Sequence, residues 1–314
     1  MRARRHPTLL TVLVIAAVLM LAWGGGKLAG RASDTQAAAS APVAAAAPDP
    51  GPVAAPALTA GEASGAAAAS AAVVGDATQA VDTLDADTPG SEIGVAVEDR
   101  TTGQTSVGDD GAKPFYAASV VKLYTVVDIL HSVETGQVTL TDTDRTNIQR
   151  ALSYSDDDAE DALWEKFGGA AGVSRTIALA GLQDSSPPTD PSQWGETLIS
   201  ARDVVSLYDY VLTSMTPASR DMIMDALQNA QDTGADGFDQ AFGLITPPRP
   251  AGVAAKQGWM WIGDDFYLHS TGVLGPDQRY VVAVLSENEA SAGSAAASTL
   301  VSTATAGVEK ALAG

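Results

Sequence analysis

The chain has 314 residues, 18 lysines and arginines against 38 acids, a formal net charge of −20 and no cysteine. That balance excludes a basic phosphate-binding surface and with it a nucleic-acid partner. The lack of thiols excludes a disulfide framework and a lipid attached through an N-terminal cysteine, so stability rests on a packed core.

Arg2, Arg4 and Arg5 precede an almost unbroken apolar run from Leu9 to Trp23, and the first acid is Asp34. Residues 1–31 therefore read as a signal peptide or an N-terminal membrane anchor with its arginines on the cytoplasmic side. The remainder is placed outside the cytoplasm, with that segment as its only contact with a membrane. Residues 32–75 are dominated by Ala, Pro, Ser and Gly without one aromatic side chain, the composition of a disordered spacer. Past residue 31 there are 13 basic residues against 38 acidic ones, a charge that favours solubility and names no substrate.

The folded domain is expected over 76–314. Val81 and Leu84 stand at helical spacing in Ala77 to Leu84. "IGVAVEDRTTGQTSVG", Ile93 to Gly108, reads as a hairpin turning at Thr101 to Gly103. A helix follows from "AASVVKLY", Ala117 to Tyr124, to about Val133. From Leu140 to Leu212 the pattern is helical, broken by "GGAAG" at Gly168 to Gly172 and by Pro187, Pro188 and Pro191. Strand character returns in "VAAKQGWMW" from Val253, "FYLHSTGVL" from Phe266 and "RYVVAVLSE" from Arg279. Ser294 to Leu312 closes the chain as a helix with Leu300, Val301, Ala304 and Val308 on one stripe. Strands at both ends and helices between them predict an α+β fold. Its antiparallel sheet is built from N- and C-terminal strands, flanked by helices, with an all-helical subdomain inserted.

Within that frame, Ser119 and Lys122 share a helix face, the geometry of an activated nucleophile. A capping serine and a snorkelling lysine would give the same tetrapeptide. Downstream come Ser155-Asp156-Asp157 at a helix start and Lys256-Gln257-Gly258 on a strand. The order S-x-x-K, then an S-D-N-like and a K-T-G-like triplet, is the signature set of class A β-lactamases and penicillin-binding proteins.

Over 76–314 the chain resembles that serine β-lactamase and penicillin-recognising family. "IGVAVEDRTTGQ" looks like its first sheet strand and turn, "RYVVAVLSE" with the Ala-rich helix like its close, and "ETLISARDVVSLYDYVL", Glu196 to Leu212, like the segment after its omega loop. The resemblance implies a three-layer α/β/α fold and an acyl-enzyme on Ser119, with Lys122 as base and Ser155 relaying a proton to the leaving nitrogen. Lys256 supplies positive potential for a substrate carboxylate, and the amides of Ser119 and Trp259 form the oxyanion hole. Gly258 lets backbone approach the substrate. The substrate is then a β-lactam or a peptidoglycan-like acyl-peptide, and neither a cofactor nor a metal is implied.

Three departures qualify these roles. Asp157 stands where the family has Asn; a carboxylate only accepts hydrogen bonds, and beside Lys122 it favours the charged amine. Gln257 replaces a hydroxyl residue that helps to hold the substrate carboxylate. "GLQDSSPPTDPSQWG", Gly181 to Gly195, lacks the omega-loop glutamate that activates the deacylating water; Asp184, Asp190 and Glu196 are the nearest acids and none matches by context. Slow deacylation is expected, and the short interval from Ser119 to Ser155 predicts a trimmed helical subdomain. The acids Asp156, Asp157, Asp158, Glu160 and Asp161 lack the alternation and glycine of a calcium loop. With only His6, His131 and His269 available, a Ser-His-Asp triad has few routes, and His269 reads as structural. Trp259 and Trp261 are candidates for the cleft wall. The alternatives are thus a serine hydrolase of the cell envelope, monomeric and acting on small acyl compounds, or a non-catalytic binding module on the same fold.

Overall fold

The computed structural model describes residues 60–314. The expected leader and the first part of the expected spacer lie outside the described residues, and among these no helix is long and apolar enough to cross a membrane.

One expected boundary moves. The first helix, α1, spans Ala60–Ala86 and so begins well inside the stretch read as spacer. Ser70, Val74, Ala77, Thr78 and Val81 are buried along it. Those positions recur at helical spacing, but with side chains too small to announce a core-facing stripe.

The expected hairpin forms as β1 (Ser91–Asp99) and β2 (Gln104–Val107), with Gly103 in the left-handed conformation at the turn. A two-residue strand β3 (Phe115–Tyr116) precedes the central helix α2 (Val121–Glu134), in which every residue from Val121 to Leu130 is buried. Next come α3 (Asp142–Ser153), α4 (Asp157–Phe167) and α5 (Ala170–Ala180). The sequence sets their ends. Thr141 and Asp144 close a capping box at the start of α3, Asp156 accepts from the Ala159 amide at the start of α4, and Gly168 and Gly181 end α4 and α5 in the left-handed conformation. A short strand β4 (Leu198–Ile199) pairs with β3, then α6 (Ala201–Thr213) and α7 (Pro217–Gln228) follow.

The three late strands are β5 (Ala254–Ile262), β6 (Asp265–Leu274) and β7 (Tyr280–Glu289), and α8 spans Ser294–Leu312. The sheet order is β2-β1-β7-β6-β5, antiparallel throughout, so the first hairpin and the last three strands share one sheet. On one face Val95, Val97, Leu268 and Val282 pack with Val74, Val81, Val301 and Val308 of α1 and α8. On the other, Ala96, Val281 and Leu285 pack with Leu123, Val127, Val204 and Tyr208 of α2 and α6. Central strands buried on both faces read as apolar runs, which is why β1 and β7 do not alternate. The expected α/β/α layering, with helices inserted between β3 and β5, is therefore what the chain forms. Strand β5 is at the edge of the sheet, where the Ser119 turn packs against it.

Candidate active site

Ser119 sits in a single 3-10 turn, Ala118–Val120, that leads into α2. The turn is fixed from both sides. Ala117 N donates to Thr197 O (2.7 Å), and a methyl group on Gly258 of β5 would lie 3.1 Å from both Ala117 O and Val120 Cγ2. A side chain at Gly258 would therefore press on the nucleophile turn, which β5 approaches closely here. Ala118 (φ 46°) and Ser155 (φ 54°) both occupy the left-handed region without being glycine. Backbone held there costs about 1–3 kcal/mol and gathers at functional sites.

Lys122 Nζ donates to Ser119 Oγ (2.6 Å) and to Asp157 Oδ1 (2.7 Å), with the amine 4.3 Å from the centre of the Trp194 ring. Lys122 is 0% exposed and Ser119 5%, whereas the Asp157 side chain is 60% exposed. The amine expected to act as base is therefore dry, next to the hydroxyl it must deprotonate, and bound to the carboxylate expected to hinder it.

Lys256 Nζ donates to Ser155 Oγ (2.7 Å) and to Gln257 O (2.7 Å), which makes a second serine–lysine pair. Burial, and then the charge of Lys122, hold the Lys256 amine well below the usual lysine range. Only 1% exposed, Lys256 does not line the cleft, so its geometry suits proton exchange with Ser155 rather than display of charge to a substrate carboxylate. Gln257 also departs from expectation. Its Nε2 donates to Phe242 O (2.6 Å) and Gln240 O (3.4 Å), so the amide supports the 240–242 loop and is buried away from the cleft.

The cleft beside Ser119 holds about 350 Å³ and is lined by Ala118, Ser119, Asp157, Asp161, the segment 192–195, Trp259 and Met260. Asp161, Trp194, Gly195 and Met260 are among those not singled out in the sequence as cleft residues. Trp194 Nε1 donates to Asp161 Oδ1 (2.8 Å), which latches the segment onto α4 above Lys122. A methyl group on Gly195 would lie 2.9 Å from Met260 Sδ, so a side chain there would displace the end of Met260, which lines the cleft. The spacing of Asp157 and Asp161, four apart on a helix, was the available signal. Trp259 lines the cleft, its Nε1 donating to Asp236 Oδ2 (2.9 Å) and its ring stacked 4.7 Å from Phe238; Trp261 lies outside it, exposed and stacked on Phe266.

The remaining acids are placed elsewhere. Asp184 accepts from Arg202 Nη2 (2.6 Å) and Ser200 Oγ (3.1 Å), Asp190 accepts from Ser192, and Glu196 does not line the cleft. Glu160 is fully buried, with Oε1 accepting from Thr125 Oγ1 (2.7 Å). Burial pushes its carboxyl up against the opposing pull of Lys122 and Lys256. Asp156 caps α4 and pairs with Arg150. His269 is structural: Nε2–H donates to Tyr116 O (2.7 Å), Nδ1 accepts from Ser286 N (3.2 Å), and burial lowers its pKa to about 4.

A family model described as the β-lactamase enzyme family matches residues 76–147 and 145–310. The "Putative lipoprotein LppW" of Mycobacterium tuberculosis, and its namesake in Mycobacterium bovis, are 36% identical to this chain over 206 residues. The match takes in 64% of this chain and 65% of theirs. A β-lactamase from Chitinophaga pinensis superimposes with a TM-score of 0.63 at 18% identity, covering 75% of this chain and 98% of that one. A β-lactamase from Sphaerobacter thermophilus gives 0.60 at 19% identity over 76% and 97%, and the structure of PBP-A gives 0.59 at 19% over 74% and 96%. The chain belongs to the β-lactamase enzyme family and has its fold.

Proposed function

We propose that this member of the family is an acyl-serine hydrolase of the cell envelope, forming an ester on Ser119 with β-lactams or peptidoglycan-like acyl-peptides and releasing it slowly. The observation that carries the reading is the 2.6 Å contact between Ser119 Oγ and the fully buried Lys122 amine. A lysine out of water beside a hydroxyl is an arrangement for activating a nucleophile. Once the amine is free of its proton it accepts that of Ser119, and Oγ bonds to the carbonyl carbon. The carbon–nitrogen bond then breaks and the leaving nitrogen takes a proton through Ser155, which exchanges with Lys256. The amides of Ser119 and Trp259 hold the oxyanion between β5 and the nucleophile turn. The reading needs no cofactor and one protomer. Placement at the envelope is supported by the arginine-flanked apolar run and by the name of the mycobacterial relatives.

Intact-mass measurement after incubation with a penicillin at high concentration tests this. An adduct of the penicillin's mass is expected on the wild-type chain and not on Ser119→Ala. A second reading, a binding module without chemistry, is favoured by the Asp157 ion pair and by the Trp194 ring over Lys122. An unmodified mass after prolonged exposure would select it.

A further inference from the structure

The cleft beside Ser119 carries charge of one sign. Asp157 and Asp161 are exposed, one turn apart on α4, and both line it. Each engages one oxygen inside the protein, Asp157 Oδ1 with Lys122 and Asp161 Oδ1 with Trp194. Neither Asp157 Oδ2 nor Asp161 Oδ2 accepts a hydrogen bond from any described residue. Asp236, bonded to the Trp259 indole, adds a third carboxylate behind the opposite wall. No lysine or arginine lines the cleft, and the two lysines of the site are buried beneath it, each already bonded to a serine. The net charge of −20 puts the field of the whole chain in the same sense.

Side chains four apart on a helix have Cβ atoms about 5–6 Å apart, a gap that one ammonium group with three donors can bridge. We propose that the cleft selects acyl donors carrying a positively charged amine near the reacting carbonyl, held between Asp157 and Asp161, and disfavours donors with a carboxylate there. This rests on the acyl-serine reading above. It sets the chain apart from a site that captures substrate through a carboxylate, because Gln257 is turned into the 240–242 loop and Lys256 is covered.

The test uses three thioesters of equal length whose acyl chains end in an ammonium, a neutral amide or a carboxylate. In each, Ser119 Oγ takes the acyl group, the carbon–sulfur bond breaks and the hydroxyl proton leaves on the thiol, so thiol release and adduct mass report the same step. The ammonium donor is expected to acylate about tenfold faster than the neutral one and the carboxylate donor slowest, the spread narrowing at high salt as surface charge is screened. Asp161→Asn keeps an acceptor for the Trp194 indole and should reduce the ammonium-to-neutral ratio several-fold. Equal rates, or a faster carboxylate donor, with the adduct still on Ser119 would overturn the charge preference and leave the acyl-serine reading standing. No adduct from any thioester, nor from a small fluorophosphonate that needs no charge recognition, would overturn both.

Discussion

Lys122 is held by three neighbours: the Ser119 hydroxyl, the Asp157 carboxylate and the Trp194 ring. An ammonium satisfied by a carboxylate has no lone pair with which to accept the Ser119 proton, and a carboxylate cannot donate to a substrate carbonyl. Asp157→Asn removes the charge and adds a donor at nearly constant volume. Acylation of Ser119 by a penicillin should then accelerate about tenfold or more, ~1.4 kcal/mol in barrier height. Adduct formation followed in time at fixed penicillin concentration measures this, and an unchanged or slower rate would show that Asp157 does not restrain the amine. Ser119, Lys122, Ser155 and Lys256 could each be picked out in the sequence because each stands in a short motif, although only the Ser119–Lys122 pair is local and Ser155 meets Lys256 across 101 positions. The direction of Gln257 was not, since it depends on a loop fifteen to seventeen residues away whose carbonyls need its amide.

At the scale of elements, the departure that matters most is the segment between α5 and β4. It is pinned along its length, among other places by Asp184 to Arg202, the Pro191 carbonyl to Trp164 Nε1 (2.9 Å), and Trp194 to Asp161. So held, it puts an aromatic face, and no carboxylate of its own, over Lys122. The segment thus brings no base of its own to activate water against an ester on Ser119, and the adduct is expected to persist. Fast steady-state hydrolysis of a chromogenic cephalosporin with no adduct in the mass spectrum would contradict this. Trp194→Ala removes the cover while leaving the other pins, and the adduct should then decay several-fold faster; an equal lifetime would mean that the ring is not what keeps water out. The missing glutamate could be read from the sequence. The latch could not, because it joins residues 33 apart through one indole hydrogen bond.

Across the whole molecule, the sheet and its layers were legible because β1, β5, β6 and β7 are bounded by turn residues and rich in branched side chains, while α1 was cut short. Its buried residues include Ser70, which falls in the stretch that composition counts as spacer, and the place of that residue in the fold depends on a partner 29 residues on. Ser70 Oγ donates to Asp99 Oδ2 (2.6 Å), and the same carboxylate accepts from Arg279 Nη2 (2.7 Å) and Nε (3.0 Å) beside β7. One acid thus joins α1, the first hairpin and the last strand. Removing the hydroxyl with Ser70→Ala should cost about 1 kcal/mol, read as a lower Tm. The network also sets a pH dependence. The Arg279 hydrogen bonds, reinforced by Ser70, hold the Asp99 carboxyl at about 2 in the folded chain, below its ordinary 3.8. In the range between those values the unfolded chain binds the proton and the folded chain does not, so acid favours unfolding. The contribution of Asp99 is complete above the unfolded value and is lost as the pH falls through about 2. Other acids titrate in the same range, and a comparison of wild type with Asp99→Asn cancels them. Thermal melts of the two should differ most near neutral pH and converge as the pH is lowered from about 4 to about 2; a gap that stays constant over that range would mean that the Asp99 charge does not join α1 and β7 to the hairpin.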